Sequence, residues 1–286
     1  MTNNLSNGER LSRINGVELG VETFGNPAHP AILLIDGAAA SMLWWEAGLC
    51  ARIAAAGRFV IRYDNRDTGR STSYPPGHPG YSMTDLAEDA VGVLDALGIE
   101  RAHVVGRSMG GGMAVIVGVD HPDRVASLTF VSASAGIGAL PPSEEPVGET
   151  PAGPDLTELA ALVDYSVAAA KAESGGSPHF DEAAIRALIK QDVERARNFA
   201  STLVNHFAME FTSPVRGGYR DIGVPTLVVH GDRDPLVPLS HGEALSAEIP
   251  GAELLVLPGV GHAVLPEPVW DVFVPALAGH TAGDRR

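Results

Sequence analysis

A serine flanked at two residues' distance on each side by glycine, Gly106-Arg107-Ser108-Met109-Gly110, sits between an apolar run and a stretch of helical spacing. In a strand–turn–helix setting this spacing predicts a sharp, strained turn that thrusts the Ser108 hydroxyl out at the end of a sheet, where side chains two residues away on either side would collide. The bland alternative is a glycine-rich packing turn. A serine hydroxyl becomes a useful nucleophile only when a base takes its proton and a third group orients that base. The sequence offers both further along the chain. His230-Gly231-Asp232-Arg233-Asp234-Pro235 follows one apolar run, and Pro258-Gly259-Val260-Gly261-His262 follows another. Of ten histidines, only His230 and His262 stand just past such a run. His262, between small residues, is the expected base. Asp234 is the expected acid, since Asp-Pro restricts it toward extended geometry, and Asp232 reads as a turn former or an arginine partner. The order acid then histidine, with Ser108 as nucleophile, points to acyl transfer through a covalent intermediate.

Three residues so far apart must be brought together by a scaffold. Leu11–Ile14 and Val17–Phe24 alternate around Asn15-Gly16, the strongest short hairpin signal. Ala31–Ile35 and Phe59–Tyr63 are continuous apolar runs, as in strands buried on both faces of a parallel sheet. Helical spacing covers Met42–Ala56, Ser82–Leu97 and Met109–His121, the second opening on a Ser82 N-cap and closing before Gly98. Strands are expected at Ala102–Val105, Ala126–Val131, Thr226–Val229 and Glu253–Leu257, and a last helix at about 266–278. Short links between alternating strands and helices predict parallel pairing with right-handed crossovers. The alternation breaks in the middle. Residues 135–156, rich in Pro and Gly, read as a loop, and Thr157 to about Asn205 as helices only. The expected organisation is an α/β core at 1–135 and 221–286, interrupted by a helical cap at 136–220.

Composition excludes several function classes. The 20 Lys+Arg against 35 Asp+Glu give a formal charge of −15, which repels phosphate backbones and argues against nucleic acid as a partner. No run is long and apolar enough to span a membrane, and MTNNLSNGERL lacks a signal-peptide pattern. The expectation is therefore a cytoplasmic protein with a small-molecule partner and no membrane association. One cysteine, Cys50, can make no internal disulfide. The chemistry requires no metal and no organic cofactor, and the oligomeric state is left open.

As a set, Gly106-x-Ser108-x-Gly110, Asp64-x-Arg66-x-x-Gly69-x-Ser71, His230-Gly231-x-x-Asp234-x-x-x-Pro238 and Gly261-His262 resemble the α/β-hydrolase superfamily. Within it, Arg62–Thr72 and Arg101–Gly110 resemble most the group of aclacinomycin methylesterase and related bacterial esterases. The resemblance implies hydrolysis of a carboxylic ester, on a polyketide-like small molecule, through the triad Ser108, Asp234 and His262. It also implies that the loop after the strand at 31–35 supplies an oxyanion-hole donor, so that Ala38 and Met109 would give their backbone N–H groups. Asp36 stands where the family usually has histidine. A carboxylate beside a developing oxyanion would be unfavourable, so Asp36 is expected to point away or to pair with an arginine. Arg107 is either a cation for an anionic substrate group or one half of an ion pair with Asp36 or Asp232, the pair being the stronger reading. Of Trp44 and Trp45, Trp45 is the candidate pocket wall, against plain core packing. Asp64 and Arg66 read as ties within a loop, and Tyr165, Phe180, Phe207, Met209 and Phe211 as candidate lining of a lid. Carbon–carbon bond hydrolysis and perhydrolysis could use the same triad, and a receptor could keep the pocket without turnover.

Overall fold

The computed structural model of the protein describes residues 8–134 and 158–282. Eight strands form one sheet: β1 (Gly8–Ile14), β2 (Val17–Phe24), β3 (Ala31–Ile35), β4 (Phe59–Tyr63), β5 (Ala102–Arg107), β6 (Val125–Val131), β7 (Thr226–Gly231) and β8 (Glu253–Leu257). Their order across the sheet is β1-β2-β4-β3-β5-β6-β7-β8. The first two strands are antiparallel, Asn15 and Gly16 both having the positive φ that their tight turn needs. From β4 to β8 every pairing is parallel. The doubly buried runs of the sequence are these central strands: all five residues of β3 and of β4 are buried.

Period two sends alternate residues of each strand into two separate cores. Leu33, Ile35, Ile61 and Val104 face one side, where α2 (Met83–Ala96) and α3 (Met109–Asp120) cover them. Ile32, Leu34, Val60 and Val105 face the other, covered by α1 (Ala47–Ala55) and α8 (Trp270–His280). The helix expected from Met42 begins instead at Ala47, after a single tight turn at Met42–Trp44 that Ser41 caps through the Leu43 N–H. The Ser82 cap of α2 is present, completed by Asp85. A helix that the sequence reading did not single out, α7 (Leu239–Glu248), lies between β7 and β8 and buries Leu245 against the sheet.

Between β6 and β7, the described residues hold three α-helices: α4 (Leu159–Glu173), α5 (Glu182–Arg195) and α6 (Phe199–Ala208). The loop expected at 135–156 lies outside the described residues. These helices pack a small core of their own around Leu162, Val167, Ile185 and Ile189, and they meet the sheet domain largely through polar ties. Arg195 grips both oxygens of Asp64, at 3.0 and 2.7 Å, and Asp64 also accepts the Met42 and Arg70 N–H groups. Asn205 donates to Asp67 Oδ2 at 2.8 Å, and the Trp44 indole N–H donates to Asp192 at 2.9 Å. Asp64 and Arg66 are thus loop ties, as expected, Arg66 pairing with Asp89 inside the core.

Burial pushes the Asp192 carboxyl up to about 6, against hydrogen bonds that lower it. An acid that holds its proton longer in the fold than in the unfolded chain makes the folded state weaker as pH rises between the two values. Asp192 therefore contributes a fall in stability from about pH 4 to about pH 6, and none beyond. Replacing it by asparagine, which can still accept from Trp44, is expected to reduce the slope of Tm against pH in that window. An unchanged slope in thermal melts of Asp192→Asn would show that the carboxyl ionises normally.

Candidate active site

Ser108 joins β5 to α3 with φ 51° and ψ −120°. A residue with a Cβ pays about 1–3 kcal/mol to stay in such a region, so the surroundings must hold it there. They do so through the backbone: the Ser108 N–H donates to the Val131 carbonyl and its own carbonyl accepts from Gly111, each at 2.9 Å. The two flanking glycines are required by close approach. A Cβ on Gly106 would run into the Gly110 carbonyl, and one on Gly110 would lie 2.6 Å from the Ile35 carbonyl oxygen.

The expected base, His262, and the expected acid, Asp234, arrive beyond the ends of the last two strands. His262 Nε2 lies 2.9 Å from Ser108 Oγ, and His262 Nδ1 lies 2.8 Å from Asp234 Oδ2. Asp234 Oδ1 accepts the N–H groups of Leu236 and Val237, at 3.0 and 2.8 Å, which fixes the carboxylate plane. Because Asp234 is acceptor only, Nδ1 carries the proton and Nε2 offers its lone pair to the serine hydroxyl. The turn before the base is equally constrained. Gly261 comes so close to the Ser174 carbonyl, at the end of α4, that no side chain fits, and the His262 N–H donates to the Glu173 carbonyl at 2.8 Å. Asp232 is the turn former, accepting the Gly259 N–H at 2.6 Å. His230, expected just past a strand, lies within β7, is fully buried and bonds the Val237 carbonyl at 2.7 Å. It steadies the acid loop and does not touch Ser108; burial lowers its pKa.

The loop after β3 also comes to the serine, with Gly37 packed against the Ser108 Cβ. Asp36 Oδ1 accepts the Gly37 N–H at 2.7 Å, together with Arg107 Nε at 2.8 Å and Nη2 at 2.7 Å. The family departure at position 36 is therefore paired with an arginine, turned onto its own loop. Burial holds the Asp36 carboxyl above its usual range, with the Arg107 guanidinium opposing. Arg107 also donates to the Ala263 carbonyl at 2.6 Å, linking the nucleophile strand to the residue after the base. The ion-pair reading of Arg107 holds, with Asp36 as partner.

A cavity of about 150 Å3 opens over Ser108, lined by Ala38, Trp44, Arg107, Glu173, Phe207 and His262 among others. The expectation for Trp45 is corrected: its side chain is 1% exposed and packs between sheet and α1, while Trp44 forms the wall and lies over the Arg107 guanidinium. Among the candidate lid residues, Tyr165 and Phe207 line this cavity. Phe180 lines a separate one, Met209 is in the core and Phe211 is exposed. Glu173, which no motif marked, reaches the cavity from α4; burial raises its carboxyl, with the neighbouring His262 and Arg107 opposing. Among the described residues, no group of His, Cys, Asp and Glu is arranged to hold a metal ion, and no helix is long and apolar enough to cross a membrane.

A serine on a forced turn between a parallel strand and a helix, with histidine and aspartate from later strand ends, defines a hydrolase of the α/β class. The chain belongs to the family described as alpha/beta hydrolase fold, which it matches over residues 30–269. It is 32% identical to rhodomycin D methylesterase DauP of Streptomyces sp. (strain C5), over 95% of this chain and 97% of that protein. It is 30% identical to the 2-hydroxymuconate semialdehyde hydrolase of Pseudomonas putida, over 68% of this chain and 67% of that one. Among solved structures, the enol-lactonase from Burkholderia xenovorans LB400 superposes with a TM-score of 0.73 at 25% identity, covering 96% of this chain and 100% of that one.

If Arg107 serves the fold by neutralising Asp36, removing it alone strands a buried carboxylate, at a cost of about 3–5 kcal/mol. Arg107→Met is expected to lower Tm sharply, and adding Asp36→Asn, which keeps an acceptor for Gly37, to restore much of the loss. A single variant that melts like the wild type would return Arg107 to the role of a substrate contact.

Proposed function

We propose that the protein hydrolyses a carboxylic ester of a small molecule through an acyl-enzyme on Ser108, with His262 as base and Asp234 as its orienting acid. The hydrogen-bonded chain from Asp234 through both nitrogens of His262 to Ser108 Oγ carries this reading. His262 Nε2 takes the hydroxyl proton as Oγ attacks the ester carbonyl, and the imidazolium so formed is stabilised by Asp234. The tetrahedral oxyanion is held by the Ala38 and Met109 N–H groups. Two features support that assignment. The Met109 N–H is the first of α3, where no intrahelical acceptor exists. Ala38 lies between Gly37, whose N–H is spent on Asp36, and Ala39, whose N–H is spent on His206. The alcohol leaves with the proton from His262, and a water activated by the same base hydrolyses the acyl-enzyme.

Helices α4, α5 and α6 serve in this reading as a cap that shapes the cavity through Tyr165, Glu173 and Phe207. The likeness to a methylesterase along nearly the whole chain favours a methyl ester of a polyketide-like acid as substrate. A second reading, hydrolysis of a carbon–carbon bond by the same triad, is favoured by the likeness to the semialdehyde hydrolase. The site chemistry requires no metal and no cofactor, and the acidic surface disfavours polyanionic partners.

Ser108→Ala is expected to fold normally and to lose at least about three orders of magnitude in kcat. The decisive assay compares p-nitrophenyl esters of rising chain length, a bulky methyl ester and a vinylogous diketone, each with wild type and Ser108→Ala. Fastest turnover of the methyl ester supports the first reading, and of the diketone the second. Equal turnover by Ser108→Ala would remove the serine mechanism altogether.

A further inference from the structure

Three consecutive N–H groups follow Asp36, and only the middle one, that of Ala38, makes no hydrogen bond to a described residue. The first is held by the residue before it, Asp36. The third is held from the cap: the Ala39 N–H donates to Nδ1 of His206, on α6, at 3.2 Å. Ala39 has φ 56°, a left-handed backbone on a residue with a Cβ, which the local chain does not favour on its own. Something must hold it, and the His206 contact is the bond available there.

His206 is suited to that work by its other nitrogen. Nε2 lies 2.8 Å from the Arg66 carbonyl, which can only accept, so Nε2 carries the proton and Nδ1 presents a lone pair. The ring is fully buried, edge-on to Tyr81. Burial lowers its pKa, with the Arg66 carbonyl and Asp67 opposing, and this keeps the ring in the neutral form that can accept from Ala39. The helix beneath is fixed as well: Asn205 and Thr202, on the same turn of α6, bond Asp67 Oδ2 and the Asp67 carbonyl at 2.8 and 2.6 Å.

We infer that His206 is a positioning residue for the oxyanion loop: by accepting the Ala39 N–H it sets the peptide planes on either side of Ala38 and so aims the Ala38 N–H at the reacting carbonyl. This rests on the ester-hydrolase reading for the identity of the donor. It adds that the cap completes the catalytic geometry from 167 residues away in sequence, in addition to covering the site. His206 does not touch the reacting atoms.

The test is a set of substitutions at one position. His206→Phe keeps a ring but accepts no hydrogen bond. His206→Asn places its Oδ1 on Cγ, as Nδ1 is, and retains an acceptor for Ala39. His206→Gln reaches toward the Arg66 carbonyl and loses the Ala39 contact. Each is measured for Tm, for kcat and KM on the best ester, and for the rate at which a fluorophosphonate labels Ser108. Labelling also passes through an oxyanion held by the same loop. The expected result is that His206→Phe and His206→Gln lose about 10- to 100-fold in kcat and in labelling rate, part of the worth of one oxyanion donor, with little change in KM. His206→Asn is expected to recover most of that loss. Activities that follow Tm across the set, or an asparagine variant no better than the glutamine one, would overturn the positioning role. If wild type labels with fluorophosphonate but cleaves no ester, the ester reading fails while the labelling rates still decide for or against His206. If wild type does neither, both fall.

Discussion

Ser108 is held where it cannot rest by itself. Its backbone sits in a left-handed conformation because the β6 carbonyl of Val131 takes its N–H, and because Gly106 and Gly110 let strand and helix come close enough to force the turn. Every other part of the site is referred to that one point. The loop after β3 packs Gly37 on the Ser108 Cβ, the helix starting at Met109 turns its unsatisfied N–H groups to the same place, and the base reaches it from the end of β8. The parallel sheet is what makes the convergence possible. Strands that all run one way end at one edge, so side chains separated by more than a hundred residues become neighbours without a long loop to carry them.

The buried ion pairs around this edge act as spacers as much as attractions. Arg107 joins Asp36 before the nucleophile to Ala263 after the base, and Arg195 joins the cap to Asp64 beneath Met42. None of these is a bargain in free energy compared with apolar packing. They fix directions, since a guanidinium satisfies two partners only when both stand in its plane. That geometric demand is the use they have in a site where distances of 2.8 and 2.9 Å must be kept between three chain segments.

Much of this was legible in the sequence, for physical reasons. The central strands had to be continuous apolar runs because both faces are covered, and the elbow had to carry glycine where backbones touch. Ser108, Asp234 and His262 could be picked out because each follows an apolar run, and the carboxyl ends of parallel strands share one edge of the sheet. Asp36 was legible in part: a carboxylate at that position had to point away or pair with an arginine, and the pair with Arg107 is what forms. What escaped had no local signature. Trp44 and Trp45 differ by one residue on a tight turn that is not α-helical, so helical periodicity could not say which faces the cavity. Glu173 and His206 are ordinary residues on the helices between β6 and β7, and what they touch depends wholly on which loop of the core they meet. Helix α7 was missed because Leu239–Glu248 has only weak apolar periodicity and depends on the sheet for its burial.

The hydrogen bond from the His262 N–H to the Glu173 carbonyl, with Gly261 pressed against Ser174, has a consequence for engineering. Chimeras that exchange the helical insertion between relatives to alter selectivity also reposition the backbone carbonyl on which the His262 loop leans. In this protein the two are joined through the backbone. A graft that ends before Glu173–Ser174 preserves that support, whereas one that crosses it transfers new pocket walls while loosening the imidazole they are meant to serve.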